Sequence, residues 1–158
     1  MEGGFMKIKG KQFSKILVAI DGSEESMKAV EYAISIAKRH NSELIGLSVI
    51  DISKPRHITS TFITAPISPL TELEQERKEF KQWLYEISNL TKAAGIDLKS
   101  EIRESISVVG TIVDYADSEN VDLIVTGTRG RSGLKKLLLG SIASGVVSYA
   151  TCPVMVIK

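Results

Sequence analysis

The residues of this chain best suited to chemistry lie close together in one glycine-rich, basic segment. Glycine permits unusual backbone angles and a close approach of a ligand. A helix that begins near residue 140 presents free N–H groups and the positive end of its dipole, which favour an anion. Ser141 adds a hydroxyl donor, and Arg129 and Arg131 add charge. The segment is therefore suited to phosphate, and its residues are Gly127, Arg129, Gly130, Arg131, Gly140 and Ser141.

The same segment departs from two common phosphate-binding motifs. It has no Gly-Lys-Ser/Thr, as a P-loop requires, and no G-x-G-x-x-G turn of the dinucleotide-binding type. Spacing alone leaves open a mobile glycine-rich surface loop with solvated basic residues. Lys135 and Lys136 are more typical of a solvated helical face than of a direct phosphate contact.

Asp21 is a second candidate, because it follows the first apolar run of the chain. It is interpreted as a contact to a ribose or to a metal-bound water, or alternatively as the residue of an Asx turn that bonds nearby backbone N–H groups. Ser23 is expected to cap the next helix, whose first turn carries Glu24 and Glu25. Those acids would repel phosphate. We therefore expect a nucleotide to place its nucleoside near this strand and its phosphates at the 127–141 segment.

Histidine and cysteine offer little support for catalysis. His40 and His57 are the only histidines, and neither stands at a recognisable triad spacing from a serine or cysteine. Cys152 is the only cysteine, so an internal disulfide is excluded, and a buried inert thiol is expected. A reducing, cytoplasmic setting fits this cysteine usage.

Composition and charge set the class of protein. The 158 residues are 43% hydrophobic and 25% charged with a net charge of +1, which is typical of one globular domain and argues against a nucleic-acid partner. The balance is uneven, since the chain carries +5 after Asp122 and −4 before Leu123. No apolar run is long enough for a membrane span. Residues 1–13 are expected to form a flexible extension before a single domain at 14–158.

Strand and helix patterns alternate along the chain. Strands are predicted at about 15–20, 44–51, 96–102, 121–126 and 153–157 from apolar or alternating runs. Helices are predicted after Ser23, from a Thr71–Glu74 capping box, on an apolar face that starts at Ile106, and at about 140–150. The apolar face of the second helix is expected to include Leu90 and to place Trp83 in the core. Residues 52–69 show no period, and Phe62 and Ile63 within them are candidates to cover a ligand or touch a partner.

This alternation predicts an α/β fold: a single-domain, open, parallel five-stranded sheet with helices on both faces. In such sheets, ligands bind beyond the carboxyl ends of the strands, where the winding reverses. The segments after strands one and four share one crevice if the strand order is 3-2-1-4-5.

Several motifs together resemble the ATP-binding universal stress proteins. Gly127, Gly130, Gly140 and Ser141 fit the G-x2-G-x9-G-(S/T) pattern of that family. The resemblance extends over about residues 14–158 and includes four further segments. These segments are KILVAIDGS from Lys15, LSVID from Leu47, DLIVTGTRG from Asp122 and CPVMVI from Cys152.

The resemblance implies a Rossmann-like sheet of order 3-2-1-4-5, a bound ATP and often a divalent metal (Mg or Mn) held through the phosphates. It implies contacts to the nucleotide by Ala19, Ile20, Asp21, Val49, Gly127, Thr128, Arg129, Gly130, Arg131, Gly140, Ser141 and Ile142. It also implies a homodimer joined through strand five, whose uncharged residues are Val154, Met155, Val156 and Ile157. An open apolar edge gives that pairing a physical motive.

One motif departs from the family. Many members carry Gly-x-Pro before helix three, whereas this chain has Ile106-Ser107-Val108. The leading hypothesis is a nucleotide-dependent stress-response module, since no general base for water attack is evident. The alternatives are a slow metal-dependent ATPase or phosphotransferase centred on Asp21, and a dimeric interaction protein that needs no nucleotide.

Overall fold

Five parallel strands and four helices make up the computed structural model, which describes residues 12–54, 69–130 and 139–158. The sheet has the order β3-β2-β1-β4-β5, so the predicted fold and topology are confirmed. In chain order the elements are β1 (Lys15–Ala19), α1 (Glu24–His40), β2 (Glu43–Asp51), α2 (Pro69–Ala93), β3 (Leu98–Ser105), α3 (Val108–Ser118), β4 (Leu123–Gly127), α4 (Ser141–Tyr149) and β5 (Val154–Ile157).

The central strand β1 is buried on both faces because helices cover both. Ile16 and Val18 pack into a cluster with residues of α1 and α2. Leu17, between them, packs into a second cluster with residues of α3 and α4. A strand between two helical layers is expected to be continuously apolar, as β1 is from Ile16 to Ala19. The helices change face between α2 and α3, which places the reversal of winding at β1 and β4.

Three predicted details of the helices are wrong. Helix α2 begins at Pro69, so Thr71 does not cap it; proline suits the first helical turn because its missing N–H needs no partner there. Ile106 lies outside α3 and is 76% exposed, because Ser107 caps that helix by accepting a bond from Gly110 N–H. Leu90 is exposed, and the inner face of α2 carries Phe80, Leu84 and Ile87 instead.

Asp122 connects the start of β1 to the start of β4. Its Oδ2 accepts bonds from Ser14 N–H at 2.8 Å and from Lys15 N–H at 3.0 Å. Asp122→Ala leaves both donors without this partner, so we expect the free energy of unfolding to fall by about 1–3 kcal/mol. Denaturant unfolding measures the change, with Asp97→Ala, an exposed acid at the same edge, as the control. Equal midpoints for the two variants would contradict the role of Asp122.

None of the helices in residues 12–54, 69–130 and 139–158 combines the length and the apolar character that crossing a bilayer needs.

Candidate functional site

A cavity of about 670 Å³ opens at the carboxyl ends of β1 and β4, where the winding of the sheet reverses. Of the twelve residues expected to contact a nucleotide, eleven line it, and the twelfth, Arg131, lies outside the described residues. Seven come from the end of β4, the turn after it and the start of α4, and four come from β1, the two residues after it and β2. The eleven are Ala19, Ile20, Asp21, Val49, Gly127, Thr128, Arg129, Gly130, Gly140, Ser141 and Ile142.

Of the helices that begin at this edge of the sheet, α4 differs from α1 and α3 in its cap. Ser23 caps α1 by accepting from Ser26 N–H at 3.2 Å, as predicted, and Ser107 caps α3. Gly140 supplies no side-chain cap to α4, and no acid lies in the first turn of that helix. The N–H groups at the start of α4 and its dipole are therefore available to an anion at the cavity wall.

The turn after β4 places these N–H groups through the backbone of Thr128. Its N–H donates to Ile157 O at 2.8 Å, and its C=O accepts from Gly140 N–H at 2.6 Å. Gly127, just before it, touches the first turn of α1: a Cβ there would lie 2.8 Å from the backbone carbon of Glu25. Glycine is therefore required at 127 by a close backbone approach.

Two polar atoms of this turn are buried without a hydrogen-bond partner among the described residues. They are the hydroxyl Oγ1 of Thr128, a residue only 3% exposed, and Nε of Arg129. A buried donor without an acceptor costs about 1–3 kcal/mol, so such groups are rare in folded proteins. Both residues line the cavity, where an anionic ligand would supply acceptors.

Asp21 makes the Asx turn and also lines the cavity. Its Oδ1 accepts from Ser23 N–H at 3.0 Å and from the Ser23 hydroxyl at 2.5 Å. Its Oδ2 lies against the turn after β4, since a Cβ on Gly130 would be 2.8 Å from that oxygen. The carboxylate therefore stands between the end of β1 and the turn after β4.

The wall of the cavity beneath α3 and α4 is apolar. It is formed by side chains from β1, β2, α3 and α4, namely Ala19, Leu47, Val49, Val108, Ile112 and Ile142. Val108 belongs to the Ile106-Ser107-Val108 departure and nevertheless contributes to this wall. The arrangement suits a flat, largely apolar ring.

The backbone of Val49 adds polar groups to that wall. Ile20 N–H donates to Leu47 O at 2.9 Å, and β2 continues past this bond to Asp51. In a parallel strand the N–H and C=O of one residue point to the same neighbour, and successive residues alternate between the two neighbours. Val49, two residues after Leu47, thus directs its N–H and C=O towards the side on which β1 has already ended.

The opposite wall is acidic, and sequence reasoning missed it. Glu72, Glu76 and Glu79 of α2 line the cavity at helical spacing, together with Asp51 at the end of β2. The Ser53 hydroxyl bonds Asp51 and holds the pKa of this carboxyl below its usual value. The repeat of Glu72, Glu76 and Glu79 was the one available signal, but a glutamate stripe usually marks a solvated helix face.

Trp83 is half-buried rather than fully in the core, and it contacts the segment next to Asp21. Gly22 has a φ of +77°, and a Cβ on it would lie 2.3 Å from the Trp83 ring. The ring therefore packs directly against the residue that follows Asp21. As the only tryptophan of the chain, Trp83 is placed to report on ligand binding by its fluorescence.

The remaining candidates lie elsewhere. His40 contacts Phe13 at the C-terminal end of α1, on the side of the sheet where the strands begin, away from the cavity. Cys152 is half-buried, and burial raises the pKa of its thiol. Within the described residues, no three His, Cys, Asp or Glu side chains are grouped as a metal site. The predictions for His57, Phe62, Ile63, Lys135 and Lys136 fall outside the described residues.

Comparison with known proteins identifies relatives over nearly the whole chain. The model of the universal stress protein family matches residues 12–158. Universal stress protein MJ0531 of Methanocaldococcus jannaschii is 34% identical over 148 residues, which cover 92% of this chain and 82% of the relative. UspA of Lactobacillus plantarum has the same fold with a TM-score of 0.78 and 31% identity, over 94% of this chain and 99% of that one.

Some solved structures of similar fold contain adenine nucleotides. A universal stress protein solved in complex with cAMP is 25% identical, with a TM-score of 0.66, over 94% of this chain and 98% of that one. An Arabidopsis thaliana family protein with AMP bound has a TM-score of 0.64 over 92% of this chain and 91% of that one. At 19% identity it supports the fold alone.

Proposed function

This chain belongs to the universal stress protein family, and from that premise we propose that its cavity binds an adenine nucleotide, with ATP as the ligand. In this proposal the protein acts as a homodimeric, nucleotide-dependent regulatory module of the stress response. Its single cysteine fits the proposed cytoplasmic setting.

The uncapped start of α4 is the observation that carries the proposal. Phosphate oxygens would accept from the N–H groups of Ser141 and Ile142, and the dipole of α4 would favour their charge. The same oxygens would supply acceptors to Thr128 Oγ1 and Arg129 Nε, the two buried polar atoms without a partner in the described turn. Helix α1 cannot play this part, because Ser23 caps it and Glu24 and Glu25 follow.

The base and the ribose fit the other side of the cavity. An adenine ring presents a donor and an acceptor side by side, which complement the C=O and N–H that Val49 directs beyond the end of β1. Its faces would pack on apolar residues such as Leu47 and Val108. Asp21 lies between this wall and the phosphate turn, where its carboxylate would accept from ribose hydroxyls.

A regulatory role suits the groups in the cavity better than fast hydrolysis does. Both donors of Ser23 bond Oδ1 of Asp21, so this carboxylate is held as part of a turn. The proposed Mg or Mn ion would be bound chiefly by phosphate oxygens, as no metal-binding group of three or more side chains occurs in the described part of the chain. Cations would neutralise charge between the phosphates and the acids of α2.

Calorimetric titration of the full chain, stripped of bound small molecules, tests the proposal. We expect ATP to bind at least about tenfold more tightly than adenosine, because the phosphates make the contacts at α4. GTP should bind more weakly than ATP, since its base edge does not match the peptide groups of Val49. Absence of heat with every adenine nucleotide would refute the proposal and favour an interaction protein that needs no ligand.

The proposed homodimer rests on the contrast between the two edges of the sheet. The β3 edge carries Lys99, Glu101, Arg103 and Glu104, and charged edges resist pairing. The β5 edge, Val154–Ile157, is uncharged and apolar, and the preceding helix leaves Val147 and Tyr149 exposed. A two-fold pairing of β5 with a second copy would cover this edge.

Val156→Lys should convert the dimer to a monomer by placing a charge on the β5 edge. Sedimentation velocity at micromolar concentration measures the outcome. Ser100→Lys is the matched control, because it adds the same charge to the exposed β3 edge and should leave the dimer intact. A monomeric wild-type protein, or a dimer that survives Val156→Lys, would contradict pairing through β5.

A further inference from the structure

The backbone of one residue, Thr128, joins the phosphate turn to the open edge of the sheet. The N–H of Thr128 donates to the C=O of Ile157, the last residue of β5. The C=O of Thr128 accepts from the N–H of Gly140, the residue before α4. The start of α4 and the end of β5 are therefore held by the C=O and the N–H of one residue.

The same two elements are also joined along the chain. Helix α4 ends at Tyr149, and only residues 150–153 separate it from β5. This connection is bonded at both ends: Ala150 N–H donates to Val146 O, and Pro153 O accepts from Ile124 N–H. A shift of α4 along its axis must therefore displace either β5 or these bonds.

We propose that nucleotide binding and the pairing of β5 with a second copy of the chain are positively coupled through α4 and the backbone of Thr128. This inference rests on the proposed function, since it takes the nucleotide phosphates to bind at the start of α4. Phosphates on Ser141 and Ile142 fix the start of α4, and through Gly140 they fix the C=O of Thr128, the residue whose N–H bonds Ile157. A partner strand on β5 fixes the same residue through its N–H.

The sign of the coupling follows from what each ligand orders. The first to bind restricts α4, the Thr128 turn and β5, so the second has less ordering left to oppose it. Linkage requires that the effect be reciprocal: nucleotide tightens the dimer by the same factor by which the dimer tightens the nucleotide. Coupling between sites typically lies between about 5-fold and 150-fold, so we expect at least about fivefold.

The test measures the dimer dissociation constant of the full chain by sedimentation equilibrium, without nucleotide and with saturating ATP. We expect the constant to fall at least about fivefold with ATP. In the reciprocal experiment, calorimetry should show the monomeric Val156→Lys variant binding ATP more weakly than the wild-type dimer by the same factor. Ser100→Lys, the dimeric control, should bind ATP as the wild type does.

The outcomes separate this inference from the proposed function. No heat on titration with ATP would overturn both. Heat of binding with an unchanged or raised dimer constant would overturn the coupling alone, as would a Val156→Lys monomer with wild-type affinity for ATP. Amide hydrogen exchange adds a local readout, since both ATP and dimerisation should slow exchange at Thr128 N–H.

Discussion

Ser141→Asp is expected to stabilise the fold and to abolish most nucleotide binding in the same protein. Ser141 is the first residue of α4, which has no side-chain cap and no acid in its first turn. A carboxylate there would interact favourably with the helix dipole, so the free energy of unfolding should rise by about 0.3–1 kcal/mol. The same charge would occupy the place proposed for phosphate and repel it, so affinity for ATP should fall at least about tenfold.

Opposite signs distinguish this result from ordinary damage to the fold, which lowers stability and binding together. Thermal unfolding and calorimetric titration provide the two readouts. Ser148→Asp is the matched control: it adds the same charge near the other end of α4, where the dipole disfavours it. That variant should lose a little stability and keep its affinity. Undiminished ATP affinity in Ser141→Asp would exclude phosphate binding at α4.

Gly127→Ala is expected to lower both stability and affinity. The added Cβ would lie 2.8 Å from the backbone carbon of Glu25 and 2.9 Å from Ser26 N, and neither backbone atom can rotate away as a side chain would. Overpacking of this kind costs about 1–3 kcal/mol of unfolding free energy. Because the turn after β4 must move away from α1, the backbone of Thr128 moves with it, and we expect affinity for ATP to fall at least about tenfold.

Gly95→Ala provides the control for lost stability. Gly95 has a φ of +74° and no atom within 4 Å of an added Cβ, and it lies at the opposite edge of the sheet. Alanine there should cost about 1 kcal/mol through backbone strain and leave affinity unchanged. Denaturant unfolding and titration of both variants make the comparison. Wild-type affinity in Gly127→Ala would show that the turn tolerates displacement.

The fold was predictable because its strands and helices have distinct local patterns. The short apolar run Lys15–Ala19 needs cover on both faces, and only a parallel sheet between helical layers provides it. The candidate site followed from the glycines at 127, 130 and 140, whose spacing also matches a known family. Chain direction then placed both loops at the carboxyl edge of the sheet.

The remaining features depended on tertiary structure and left weak local signals. The capping-box prediction at Thr71 failed because a proline two residues earlier starts the helix equally well. Ile106 matched the helical period of α3 but lies before its cap, and no pattern of apolar residues distinguishes those two positions.

Charge shows the limit of sequence reasoning most clearly. The segment after Asp122 carries +5 and suggested a locally positive site. The fold brings Glu72, Glu76 and Glu79 of a distant helix to the facing wall of the same cavity. Which charges meet across a cavity is decided by packing between elements, so the acidic wall could not be inferred from the basic segment.

The most direct test of the nucleotide site is a crystal structure of the full chain grown with ATP and Mg²⁺. We expect phosphate oxygens within hydrogen-bond distance of the N–H groups of Ser141 and Ile142 and of Thr128 Oγ1, with the adenine edge against the backbone of Val49. A nucleotide bound outside the cavity, or one whose phosphates point away from α4, would contradict the proposed site.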